Sequence, residues 1–254
     1  MSFDRLQTAL DDLARGHVPV PPEDMIFVGD GDYLQISAEF LAYFVEVGGL
    51  QPHHHVLDLG SGIGRIAAGV SRYLDPVEGR YIGFDPVKSG IDWCRQAYAD
   101  QPHMRFEWAD IYNELYRPDG TIIAPKYRFP CQDGSIDLAI VTSVFTHLYE
   151  PEIGAYLAEL DRVLKPGGRL FSTAYLFHGS EPRQGAAPHL KFNVESKDAP
   201  YRWHVAGMPP LSAVCYSEEY FNWLFQRRMG REPEIRRGRW RGEAGPWFQD
   251  LVLL

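Results

Sequence analysis

Asp58, Gly60, Ser61, Gly62, Ile63 and Gly64 fall within one run, VLDLGSGIGR, between an apolar segment and a helical one. Glycines permit left-handed backbone and let a ligand approach main-chain atoms. A helix start just beyond them offers unpaired N–H groups. Such a turn at the carboxyl end of a parallel strand binds nucleotide-like molecules. The spacing is GxGxG, with Arg65 standing where a dinucleotide fingerprint has its third glycine. Asp58, two residues before the first glycine, suits a cationic amine better than a pyrophosphate. The glycines alone also fit a ligand-free strand–helix turn.

Two further acids follow at strand ends. Asp85 lies about 20 residues past the loop, where a carboxylate can accept from both hydroxyls of a ribose; it also suits a helix cap. Asp110 closes the run RFEWAD, where it could accept from an adenine amino group with the Ile111 N–H nearby. An Asp in that position is more often a turn residue. His147 follows the fourth apolar run and is the leading candidate for a general base, since histidine titrates near neutrality. A buried histidine bonded to backbone fits the same position. His178, His189 and His204 are alternatives. Tyr33 could hydrogen-bond a ligand carboxylate or fill the core. His53, His54 and His55 precede the first strand and read as a solvated loop.

The elements that must carry these residues alternate. Val56–Leu59, Tyr81–Phe84, Arg105–Trp108, Ile136–Val141 and Arg169–Ala174 read as strands. Ile63–Tyr73, Ser89–Tyr98 and Glu152–Leu164 read as the helices between them, which implies βαβ units and a parallel sheet. Before them, Phe3–Arg15 and Ser37–Val47 form a helical cap within residues 1–52. The segment Asn113–Arg128 breaks the rhythm, and its Pro118-Asp119-Gly120 turn suggests a hairpin. Residues 179–216 read as irregular and lid-like, inserted between strands 5 and 6. Ser217 then caps a helix to about Met229, ended by Gly230. Ile235–Trp240 and Gln249–Leu254 read as a terminal antiparallel pair.

Together these motifs resemble the class I S-adenosylmethionine-dependent methyltransferases. The resemblance rests on Asp58–Gly64, Asp85, Asp110, the strand Asp137–Ser143 and the run Arg162–Leu170, in that order. It covers roughly residues 50–175. It implies one α/β domain over residues 1–254: a Rossmann-like, seven-stranded, mostly parallel sheet with helices on both faces and an antiparallel last strand. It also implies S-adenosylmethionine as cofactor, which carries a cationic amine and no phosphate. Asp58 and the Gly60 carbonyl would hold the amine. Ser61, Gly62 and Ile63 would line the cofactor. Asp85 would bind the ribose, Pro86 would pack on the adenine, and Asp110 and Ile111 would read its edge. The Thr142 carbonyl would reach the amine.

Subclasses divide on the fourth strand's end. It reads Thr142-Ser143-Val144-Phe145, not the Asn/Asp-Pro-Pro-aromatic run of amino-methylating nucleic-acid and protein enzymes. Pro130-Cys131 precedes that strand, so the cytosine-methylating dipeptide is out of place. His147 and Tyr149 come ahead of Glu150 and Glu152, which argues against a divalent-metal site. The expected reaction is therefore metal-independent methylation of a small molecule, at an oxygen of a sugar or secondary metabolite. Two other readings stay open: an RNA or protein methyltransferase using Arg227–Arg241, and a cofactor-binding module without transfer activity. That segment holds seven arginines against Glu232 and Glu234. Yet Arg236 and Arg237 adjoin on a strand and must face opposite ways.

Composition bounds the rest. The 254 residues are 45% hydrophobic and 23% charged, an ordinary globular mixture, so disorder is excluded. A net charge of −9 makes general nucleic-acid binding an unfavoured reading. Cys94, Cys131 and Cys215 lack CxxC spacing, which excludes a four-cysteine zinc site. No apolar run reaches the ~18–20 residues of a membrane span. The first thirty residues lack a signal peptide's apolar core, so a cytoplasmic protein is expected.

Overall fold

A computed structural model describes residues 2–27, 29, 31–182 and 190–254. The chain divides into two compact units. The first holds Met1–Ile122, Phe129–Ile140 and Val163–Arg169; the second holds Ile123–Arg128, Val141–Arg162 and Leu170–Leu254.

The first unit begins with α1 (Ser2–Ala14) and α2 (Tyr33–Glu46). Helix α2 starts four residues before the expected Ser37. Asp32 caps it by accepting from the Gln35 N–H at 2.7 Å. Ser37 lies buried instead, and its hydroxyl accepts from the Gly69 N–H at 2.9 Å. Strands β1 (His55–Leu59), β2 (Arg80–Asp85), β3 (Met104–Trp108) and β4 (Ile136–Val141) alternate with α3 (Arg65–Tyr73) and α4 (Lys88–Ala97). Their order is β3-β2-β1-β4, followed by the start of β5 (Leu164–Phe177). The pairs β1–β2, β1–β4 and β2–β3 are all parallel, as alternating strands and helices require.

The expected hairpin over 113–128 does not form. The Arg117–Gly120 turn closes, but Asn113 spends its side chain accepting from the Leu115 and Tyr116 N–H groups. That local turn leaves no ladder for a second arm. Only isolated bridges remain, Ile111 with Ile122 and Asn113 with Arg117.

In the second unit, α5 (Glu150–Val163) leads back to β5. Strand β5 has two partners along its length. Residues 171–174 pair antiparallel with β10 (Asp250–Leu253), and residues 175–177 pair parallel with β8 (Val214–Ser217). Strand β9 (Glu234–Arg236) pairs antiparallel with β10, and so runs in the direction of β5. Strand β10, which runs against β5, is the expected antiparallel last strand. Helix α6 (Glu218–Met229) is capped by Ser217 and ended by Gly230 at φ 65°, both as expected.

The irregular lid expected over 179–216 is corrected over residues 190–216. Strands β6 (Phe192–Ser196) and β7 (Ala199–Val205) form an antiparallel hairpin, and β7 pairs with β8. Phe192, Val205 and Cys215 bury themselves with Tyr175, Phe177 and Trp240. That burial explains why the segment forms sheet despite its prolines. Residues 183–189 of the expected lid, including His189, lie outside the described residues.

Candidate cofactor site

The site is built in the first unit on the carboxyl ends of β1 and β2. Leaving β1, the chain turns left-handed at Gly60, Gly62 and Gly64, with φ of 77°, 55° and 79°. The Gly60 and Ser61 N–H groups donate to the Phe84 carbonyl at 3.0 and 3.1 Å, so the loop is stitched to the end of β2. A Cβ on Gly64 would meet Cys94 Sγ at 2.8 Å. The close approach of α4 therefore demands glycine there.

Asp58 is fully buried beneath this loop. Its Oδ2 accepts from the Tyr81 hydroxyl at 2.5 Å, while Oδ1 has no hydrogen-bond partner among the described residues. Burial pushes its pKa up to about 7. Ser61 Oγ is likewise buried without a partner among the described residues. An orphaned carboxylate oxygen in a buried site calls for a cation or a donor. Asp85 takes the Gly62 N–H on Oδ2 and the Val87 N–H on Oδ1, each at 2.8 Å. It thus ties the glycine loop to the start of α4. Burial raises its pKa to about 6. A carboxylate has about four lone-pair sites, so two remain for a diol.

Tyr33 reaches the same loop, but not in the expected role. Its hydroxyl donates to the Ile63 carbonyl at 3.1 Å. That commits its proton to the loop backbone rather than to a ligand carboxylate. Burial holds the phenol well above its ordinary pKa.

At the adenine side, Pro86 accepts from Trp108 Nε1 at 3.0 Å through its carbonyl. Asp110 accepts from Arg117 Nε at 3.1 Å and Thr121 Oγ1 at 2.6 Å, and the Thr121 hydroxyl chiefly holds its pKa low. The Ile111 N–H donates to the Ala109 carbonyl at 2.7 Å, so the donor expected for a base edge is engaged by a tight turn. Arg117 also sits over the Trp108 ring, 5.6 Å from its centre. Sequence reasoning missed Tyr81, Trp108 and Arg117. Tyr81 could have been found from parallel register, because it lies two residues from Gly83, the residue opposite Asp58.

Thr142 and His147 belong to the second unit. Thr142 is half-buried just beyond β4. Ser143 follows at φ 58°, the one described non-glycine residue with positive φ. Its N–H donates to Thr173 Oγ1 at 2.8 Å and its carbonyl accepts from Thr146 Oγ1 at 2.9 Å. His147 ends a 3-10 turn, Phe145–His147. Its Nδ1 lies 2.9 Å from the Leu211 carbonyl. A carbonyl can only accept, so Nδ1 carries the proton and the lone pair sits on Nε2. Burial lowers its pKa and keeps it neutral.

Four of the seven arginines of 227–241 have separate acidic partners. Arg231 pairs with Asp161, Arg236 with Glu234, Arg237 with Glu218 and Arg241 with Asp250. Among the described residues no group of three or more His, Cys, Asp or Glu could hold a metal ion. No helix among them is long and apolar enough to cross a membrane.

The profile of the methyltransferase domain family matches residues 57–172. The chain is 32% identical over 120 residues to an uncharacterized 37.1 kDa protein in a transposon of Streptomyces fradiae, covering 47% of this chain and 30% of that one. It is 30% identical over 118 residues to phthiotriol/phenolphthiotriol dimycocerosates methyltransferase 1 of Mycobacterium ulcerans, covering 46% and 36%. The aligned part thus spans about a third of the length of these curated relatives. Among solved structures, a SAM-dependent methyltransferase from Aquifex aeolicus is similar with a TM-score of 0.54 at 17% identity, covering 92% of this chain and 98% of that one. The [4+2]-cyclase SpnF is similar with a TM-score of 0.52 at 18% identity, covering 94% and 74%. The glycine loop and its two buried acids thus lie within the stretch that matches the methyltransferase domain family, and the fold is similar to that of S-adenosylmethionine-dependent methyltransferases.

Proposed function

We propose that this protein transfers a methyl group from S-adenosylmethionine to an oxygen of a small molecule, such as a sugar or secondary metabolite, without a divalent metal. The observation that carries the proposal is Asp58: a fully buried carboxylate with one unpartnered oxygen under the glycine loop. That oxygen suits the cofactor's ammonium group, and the Gly60 carbonyl would add a second acceptor. Asp85 would hold the ribose diol on its remaining lone pairs. Ser61, Gly62 and Ile63 would line the cofactor, Pro86 would pack on the adenine and Asp110 would face its amino group. When bound, the cofactor supplies a methyl already activated on a sulfonium. The chain's task is then to align the acceptor and exclude water. His147, whose pKa burial lowers, is the candidate to take the acceptor's hydroxyl proton.

The paired arginines of 227–241 give no support to a nucleic-acid acceptor. The likeness to SpnF, a [4+2]-cyclase, keeps a cofactor-binding protein without methyl transfer as a second reading. Calorimetry with S-adenosylhomocysteine tests the cofactor site. Asp85→Ala is expected to weaken binding by ~1.5–3 kcal/mol, the scale of a hydrogen bond to a charged acceptor. No binding by the wild type, or unchanged affinity in the variant, defeats the cofactor reading. Methyl transfer to a panel of hydroxylated acceptors, with and without chelator, tests the reaction. Cofactor binding with no transfer favours the second reading, and chelator-sensitive transfer rescued by magnesium overturns metal independence.

A further inference from the structure

A second cavity lies wholly within the second unit, where the end of β5 meets the segment between β9 and β10. It holds about 260 Å³. That is just under the roughly 300–1,000 Å³ of sites for drug-sized ligands, so its occupant is fragment-sized. Leu176, Phe177 and Trp240 give it apolar walls. Arg237, Arg241 and Glu243 supply the charged groups on its lining.

The state of the two arginines is informative. Arg241 has a side chain only 8% exposed. Its Nη2 donates to the Leu176 carbonyl and to both oxygens of the fully buried Asp250. Its guanidinium also sits over Trp240, 5.1 Å from the ring centre. Arg237 is ion-paired with Glu218. Both positive charges are therefore answered. Yet Arg241 Nε and Arg237 Nη1 are buried with no hydrogen-bond partner among the described residues. Unsatisfied buried donors are rare and costly. What the cavity lacks is acceptors, not negative charge, and the Glu243 carboxylate on its lining disfavours an added anion.

We infer that this cavity binds a small, uncharged, largely apolar molecule bearing a carbonyl or ether oxygen, which accepts from the unpartnered guanidinium N–H groups while its body packs on Phe177 and Trp240. The site uses none of the residues assigned to the cofactor and does not depend on methyl transfer.

Fluorine NMR of the full chain tests this with four probes of one size: para-fluoroacetophenone, para-fluorobenzoate, para-fluorobenzylamine and para-fluorotoluene. The ketone is expected to bind about tenfold more tightly than the hydrocarbon, the scale of one hydrogen bond from a charged donor. The benzoate and benzylamine are expected to bind more weakly than the ketone. Arg237→Lys keeps a cation for Glu218 but loses the planar fork, and should bring the ketone close to the hydrocarbon. His178→Trp places a large ring at an exposed lining position and should abolish ketone binding. Affinity for S-adenosylhomocysteine should be unchanged in both variants, which separates this site from the cofactor's. Equal binding of ketone and hydrocarbon, tighter binding of benzoate, or ketone binding unaffected by His178→Trp overturns the inference. So does failure of the wild type to bind any probe.

Discussion

Asp58 couples the proposed cofactor site to pH. Its folded pKa of about 7 stands above its ordinary 3.8 because burial penalises the charged form. Between about pH 4 and 7 the ligand-free folded protein therefore holds a proton that the unfolded chain does not, and stability falls as pH rises through this window. Asp58→Asn removes that contribution. Its melting temperature relative to wild type should rise from pH 5 to pH 8, and a difference independent of pH would count against the buried acid. Binding of an ammonium group calls for the ionised carboxylate, so cofactor binding near pH 6.5 should release a proton. Calorimetry in two buffers of different ionisation enthalpy reads this release, which should vanish in Asp58→Asn. His147 is a different case, because its folded form is already neutral. His147→Ala should cut turnover by about 10²–10⁴-fold with cofactor affinity unchanged, if Nε2 acts as base. A lower melting temperature with near-normal turnover would give the histidine a structural role through its bond to Leu211 instead.

At the scale of elements, the hairpin β6–β7 and strand β8 stand where an irregular lid was expected. A lid should exchange its amide hydrogens quickly until substrate arrives. Paired strands with Phe192, Val205 and Cys215 buried beneath should not. The amides of β7 are thus expected to be protected in the ligand-free protein, and exchange at unstructured rates would restore the lid. The reason this branch was illegible lies in its residues. Pro200, Gly207, Pro209 and Pro210 dilute the alternating apolar pattern, and the partners of β7 are set by register rather than by local propensity. By contrast Ser217 and Gly230 announce the ends of α6, because capping is decided by one residue and its near neighbours. The glycine loop was legible for the same reason. Tyr81 beside Asp58, and Tyr33 on the Ile63 carbonyl, were not: each joins residues more than twenty positions apart, and only the folded sheet and helices bring them together.

At the scale of the whole molecule, a chain of net charge −9 carries seven arginines near its end, and four of them are ion-paired. The ion pairs of Arg231, Arg236, Arg237 and Arg241 spread that charge among separate acidic partners. Most of these pairs are partly exposed and add little stability. The pair of Arg241 with Asp250 is buried, and there the geometry is dense. Asp250 also accepts from Trp240 Nε1 and from the Gly238 and Leu176 N–H groups.

The double partnership of β5 has a consequence for the order of assembly. Residues 175–177 pair with β8 some forty positions later, but residues 171–174 must wait for 250–253. Until that stretch arrives, Phe171–Ala174 presents a bare strand edge with unpaired backbone groups, the kind of template that recruits other chains. Closing so long a loop is also slow. Refolding at rising protein concentration should therefore lose yield to aggregation. A peptide spanning Asp250–Leu254, added in excess to a chain ending at Gln249, should recover part of the soluble yield. No recovery, or a truncated chain that refolds as well as the full one, would show that β10 is not the strand on which completion of the sheet depends.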